Sequence, residues 1–226
     1  MEENFLVLDT IAVQVSLEDV LLQLGYPRGS CVSSRVREKV RVQITEMWQL
    51  MEPRGAYLKL EGAPQKGFEL FSQAEGIVLA LATIGAGVER RAKELVGMEQ
   101  GATGLIIDAI GTIAAERTAD FLEGEIRRDC ARCGWKVSRR YAPGYCGWKM
   151  EAQREIFSHF PDTLGVTLTS SCLMIPEKSL SFVCLLSTKG DFSTVKVGDC
   201  RKCRQKACPY RLEPYETKDQ EELTAF

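Results

Sequence analysis

Apolar positions along the chain recur with two periods. A helical period appears first over residues 17–24, where the Ser16 hydroxyl can cap the first turn and Gly25 and Pro27 end it. It returns after Ser34, which can cap a second helix; Val36, Val40, Ile44, Trp48 and Met51 fall on one face of that helix, which must stop before Pro53. The longest periodic stretch runs from Thr103 to about Asp129. Ile106, Ile110, Ile113 and Ala114 form its apolar stripe, and Ala109, Ala115, Ala119 and Leu122 allow another element to come close. Shorter helices are predicted over 88–96 and 151–160. Strands are predicted at 5–8, at 56–60 from strict alternation, at 77–85 from an unbroken apolar run, and at 135–141 and 180–186. This irregular order of helices and strands fits one α+β domain, with a curved antiparallel sheet and helices packed on it, better than a doubly wound fold.

Composition changes this picture little. A chain of 226 residues, 45% hydrophobic and 27% charged, has ordinary globular proportions. A net charge of -2 gives no electrostatic reason to expect nucleic acid or an anionic membrane as partner. No apolar run reaches the ~18 residues of a membrane span, and the acidic start Met1-Glu2-Glu3 lacks the pattern of a secretory signal. A cytoplasmic location is therefore expected. Nine cysteines in such a chain point to thiols, a metal or an iron–sulfur cluster rather than a disulfide framework. The single histidine, His159, is expected at the surface of the short helix and excludes a multi-histidine metal site. The basic run Arg35, Arg37, Lys39 and Arg41 reads as a solvated face. Gly85-Ala86-Gly87 reads as a tight turn without a phosphate-binding fingerprint, which argues against an ordinary small-molecule methyltransferase.

Two segments carry the candidate chemistry. In Arg140-Tyr141-Ala142-Pro143-Gly144-Tyr145 a guanidinium precedes a turn stiffened by proline and stripped of a side chain at glycine. In 168–181, hydroxyl residues Thr169, Ser170, Ser171, Ser179 and Ser181 surround a proline break at Pro176. Taken singly, Arg140 reads as a surface ion pair, Pro143-Gly144 as a β-turn, and Tyr145 as a core residue with its hydroxyl exposed. Taken together, the segments resemble the activation domain of cobalamin-dependent methionine synthase. That domain has an Arg-x-x-Pro-Gly-Tyr loop followed by Thr-x-Ser-x-x-Met-x-Pro-x-x-Ser-x-Ser. The match is best over 75–187.

The resemblance implies a curved antiparallel sheet and a site for S-adenosylmethionine. Arg140, Ala142, Gly144 and Tyr145 would supply the loop contacts, with Glu116 on the long helix and Ser171 in the second segment. Arg140 suits the ligand carboxylate, because guanidinium and carboxylate match as a two-pronged pair. Tyr145 offers an aromatic face near a sulfonium. This chain has Ser170 where the family carries Glu, and it lacks both the downstream tyrosine and the acidic, aromatic entry segment.

The cysteines form two further motifs. Cys200, Cys203 and Cys208 make C-x2-C-x4-C among basic residues, a spacing suited to zinc or an iron–sulfur cluster, to a redox thiol pair, or to plain reduced thiols. Cys130 and Cys133 form a separate C-x2-C that could donate a fourth sulfur. Cys146 and Cys172 are candidates to line the pocket, and Cys31 and Cys184 read as small buried hydrophobes. The division expected is a domain over 1–198 and a cysteine motif with an acidic tail over 199–226.

The resemblance implies a stand-alone reactivation module for a corrinoid-dependent methyltransferase. Such a module supports reductive methylation of cob(II)alamin. Its partner would be a cobalamin-binding protein or a core methionine synthase, with one electron from a flavodoxin- or ferredoxin-like donor. The chain has no Asp-x-His-x-x-Gly motif, so the corrinoid is expected to arrive on that partner. The alternative from another class is a non-catalytic docking or electron-delivery module built on the cysteines.

Overall fold

The computed structural model describes residues 5–62, 67–145, 147–190 and residue 192. Five strands form one antiparallel sheet: β1 (Phe5–Leu8), β2 (Arg54–Glu61), β3 (Gly76–Thr83), β4 (Lys136–Val137) and, last in the chain, β7 (Ser179–Ser187), in the order β1-β2-β3-β7-β4. A two-stranded hairpin, β5 (Thr167–Leu168) with β6 (Met174–Ile175), stands apart from it. The helices are α1 (Leu17–Gln23), α2 (Ser34–Met47), α3 (Gly87–Gly97), α4 (Gly101–Arg132) and α5 (Ala152–Ser158). This is the α+β architecture expected from the sequence.

The continuous apolar run predicted as a central strand is β3, and it is buried at every position because both of its faces are covered. Ile77, Leu79 and Leu81 face one cluster with Phe68, Phe71, Trp148 and Ile156. Val78, Ala80 and Ala82 face the other way, toward Leu122 and Ile126 of α4. The alanines on that face let a helix lie close. Gly55 of β2 completes the bed, since a β-carbon there would stand 3.0 Å from a Leu122 methyl.

The 32 residues of α4 extend about 48 Å at helical rise. Its first half packs Ile106, Ile107, Ile110 and Ala114 against α1, α2 and α3. Its second half packs Ala119, Leu122, Ile126 and Cys130 on the sheet. One helix thus joins the helical layer to the strands.

Four expectations need correction. The serine that caps α2 is Ser33, whose hydroxyl accepts from the Val36 amide at 3.4 Å. Ser33→Ala should therefore cost about 0.5–1 kcal/mol in chemical denaturation, while Ser34→Ala should leave stability within about 0.5 kcal/mol. The strand expected over 135–141 is broken. Ser138 still donates its amide to the Leu185 carbonyl at 3.0 Å, but its hydroxyl rather than its carbonyl accepts the Leu185 amide, at 2.9 Å, and pairing resumes only at Tyr141 opposite Val183. Finally, His159 caps α5 with its side chain about a quarter exposed. Its ring lies 5.8 Å from that of Phe68, and Nε2 is buried 3.5 Å from the Glu155 carboxylate. Cys31 is exposed, whereas Cys184 is buried as expected.

Candidate functional site

The break at Ser138 decides where Arg140 points. Tyr141 turns into the aromatic cluster, 5.6 Å from the Phe71 ring. Its neighbour Arg140 therefore faces the opposite side of the sheet, toward α4. There Glu116 and Asp120, one helical turn apart, meet it. Arg140 Nη2 donates to Glu116 Oε2 at 2.7 Å, and Nη1 lies 3.0 Å from Asp120 Oδ1. The Nη1 contact is an ion pair without hydrogen-bond alignment, which leaves that buried nitrogen without an acceptor. The guanidinium carbon sits 5.8 Å from the centre of the Phe182 ring. The Arg140 and Glu116 side chains are each about one quarter exposed, so both can be reached from solvent.

Burial raises the Glu116 carboxyl above its ordinary value, and the nearby Arg140 charge offsets this only in part. Asp120 is shared with Arg117, which reaches Asp19 at 2.6 Å. Asp19 is held below the usual carboxylate range, first by its hydrogen bond from Arg117. The hydrogen-bond partner of Glu116 is Arg140 from the sheet, not Arg117 on its own helix.

The turn after Arg140 is rigid. Gly144 has φ +86, which an L side chain rarely adopts, and its amide bonds to the Trp148 carbonyl at 2.8 Å. Trp148 is buried edge-on against Phe71, with ring centres 5.0 Å apart, and so anchors the turn to the core. Ala142 is half-buried, and Tyr145 is an exposed aromatic at the surface. The second segment forms the hairpin tip and the start of β7. Ser171 is exposed there, its hydroxyl 3.0 Å from that of Thr169. Cys172 is buried in that tip with φ +65.

The sequence reading missed two features. Asp108, Thr112, Glu116 and Asp120 form a polar stripe along α4 at four-residue spacing. Lys178 of the second segment binds its upper end, at 2.7 Å from Asp108 Oδ1 and 3.0 Å from Thr112 Oγ1. Lys178 and Arg140 thus hold the same helical face from two sides. The i,i+4 recurrence of polar residues was the available signal. The other is Ser181, the last serine of the second segment, whose buried hydroxyl has no partner among the described residues.

Among the described residues no group of three or more His, Cys, Asp or Glu side chains could hold a metal ion. Cys146, Cys200, Cys203 and Cys208, with the whole of 199–226, lie outside the described residues. No described helix is long and apolar enough to cross a membrane.

No family model matches the sequence, and no curated protein matches it. Among solved structures 13 chains match. One is the crystal structure of the MetH reactivation domain bound to AdoHcy. It aligns with 80% of this chain and 78% of its own, at a TM-score of 0.60 and 14% identity. The chain has the fold of the MetH reactivation domain. At that identity the likeness concerns architecture: the curved antiparallel sheet and the helices around it.

Proposed function

We propose that this protein binds S-adenosylmethionine through its amino-acid end, at Arg140 and Glu116, and presents its methyl group to a corrinoid carried by a partner. The observation that carries the reading is the Arg140–Glu116 pair, set beside a rigid glycine turn on a fold whose solved example holds AdoHcy. The ligand's carboxylate and ammonium can replace the pair, the carboxylate taking the guanidinium and the ammonium taking Glu116. Both protein charges then keep an opposite partner, so exchange avoids leaving a buried charge alone. The acceptor-free Nη1 of Arg140 gains a second carboxylate oxygen in the same step. Ala142, Gly144 and Tyr145 lie along the adjoining turn, where bare backbone and an exposed ring suit a flat base or a sulfonium.

The corrinoid supplies the cobalt centre that accepts the methyl group. This chain's residues hold and orient the donor, and their contribution is proximity. Reductive methylation and an electron donor of flavodoxin or ferredoxin type complete the reading. An iron–sulfur cluster at Cys200, Cys203 and Cys208 would serve the same electron path, whereas zinc there would be structural only.

Calorimetric titration tests the reading directly. S-Adenosylmethionine should saturate one site. Adenosine, which lacks the zwitterion, should bind at least roughly tenfold more weakly, the equivalent of one charge-assisted hydrogen bond. Equal affinities, or no binding of S-adenosylmethionine, would remove Arg140 and Glu116 from the site. A docking or electron-delivery module is the second reading, favoured by the closure of Arg140 by two carboxylates, Glu116 and Asp120. It predicts no binding of S-adenosylmethionine, and iron in the purified protein.

A further inference from the structure

A second chemical site lies at the far end of α4, away from Arg140. Cys130 occupies the last turn of the helix, fully buried among Tyr57, Val137, Phe182 and Cys184. Cys133 is the capping residue and is exposed; its amide donates to the Cys130 carbonyl at 3.0 Å. That closed turn keeps the two α-carbons roughly 5–6 Å apart, within the span of a disulfide. Gly134, at φ +80, then reverses the chain so that the Trp135 amide reaches the same Cys130 carbonyl at 3.1 Å. The turn is therefore fixed by two hydrogen bonds to one oxygen.

A cation stands over it. Lys59 of β2 is mostly buried and lies 3.2 Å from Asp129 Oδ2, and the Tyr57 hydroxyl donates to the same oxygen at 3.0 Å. Asp129 thus fixes Lys59 in place, where its charge offsets in part the effect of burial on the Cys130 thiol. The charges facing the pair are Lys59 and Glu61 from the sheet and Asp129 from the helix itself.

We propose that Cys130 and Cys133 form a thiol–disulfide exchange site for small disulfides, in which Cys133 attacks and Cys130 resolves. Cys133, after losing its proton to water, attacks one sulfur of the small disulfide. The S–S bond breaks and one thiol leaves. Cys130 then gives its proton to water and displaces the second thiol from Cys133. Two protein thiols are oxidised to one disulfide, and one small disulfide is reduced to two thiols. The order follows from access. Cys133 meets solvent, while burial pushes the Cys130 thiol up to about 11 and makes it inert until a mixed disulfide forms three residues away.

The sequence makes the test clean, because trypsin cuts after Arg128, Arg132 and Lys136 and so separates the two cysteines. The full-length, chelator-treated protein is incubated folded with oxidised glutathione, quenched in acid and alkylated under denaturing conditions. The expected product is peptide 129–132 joined to peptide 133–136, lighter than the two reduced peptides by two hydrogens. Cys130→Ser should trap glutathione on Cys133. In Cys133→Ser, the thiol of Cys130 should react roughly a hundredfold or more slowly, since its exposure requires local opening. Glutathione left on Cys133 of the wild type, a link from either cysteine to another, or equal reactivity of Cys130 and Cys133 in the single variants would overturn the proposal.

Discussion

Leu122→Ala is expected to lower stability by about 3–4 kcal/mol, read as a shift of the urea midpoint at unchanged slope. Leu122 is fully buried where α4 crosses the sheet, and its methyl groups fill the space left by Gly55. Truncation leaves a cavity between rigid elements that cannot collapse, because β2 and β3 are held in register on both sides. Gly55→Ala alone should cost about 1–2 kcal/mol, since its new methyl meets Leu122 at 3.0 and 3.1 Å and Ile11 at 3.2 Å. The double variant should recover about 0.5–1.5 kcal/mol relative to the sum, because the alanine at 55 enters the volume that Leu122 gave up. Strict additivity would mean that α4 does not sit on Gly55 as described.

Arg140→Ala is expected to weaken S-adenosylmethionine binding by roughly ten- to a hundredfold, or about 1.5–3 kcal/mol for a lost charged hydrogen bond. Arg140→Lys should recover only part of this, since an ammonium cannot offer the two-pronged fork. The same change should reach stability. It leaves Glu116 half-buried beside Asp120 without its cation, at a cost of about 1–3 kcal/mol at neutral pH, below the range for a fully buried pair because Glu116 is a quarter exposed. The pH dependence has a definite sign. Burial raises Glu116 above its ordinary 4.5, and loss of Arg140 raises it further. The folded variant therefore binds more protons than the unfolded chain just above pH 4.5, and its stability falls as pH rises through that window. The deficit against wild type should be small at acid pH and full at neutral pH. Glu116→Gln in the Arg140→Ala background should abolish most of this slope. A deficit independent of pH would mean that the ion pair does not carry the effect.

The elements were legible where a periodic pattern met a simple environment. β3 was visible because a strand covered on both faces has no polar positions, and α4 because its stripe persists over many turns. The broken strand was not visible. Residues 135–141 alternate plausibly, and only the side-chain hydroxyl of Ser138, taking the place of a backbone acceptor, ends the pairing. The identity of the candidate site residues came from the Arg140 loop and the resemblance it carries. Their arrangement did not: that Arg140 lies on Glu116 and Asp120 depends on which face of the sheet it leaves, and a break in a strand resets that parity. Lys178 escaped notice because its partners, Asp108 and Thr112, are distant in sequence and meet it only once the hairpin folds over α4. His159 was misplaced because an imidazole at a helix end can turn inward onto a phenyl ring as readily as outward.

Ser138 pairs with Leu185 and Tyr141 with Val183, so Arg139 and Arg140 span a gap that a regular ladder would cross with one residue. Removing Arg139 would close this bulge into a continuous ladder and leave Arg140 beside Tyr141 on the α4 side of the sheet. The extra residue is dispensable for register, and the geometry of the site asks only for an arginine immediately before Tyr141.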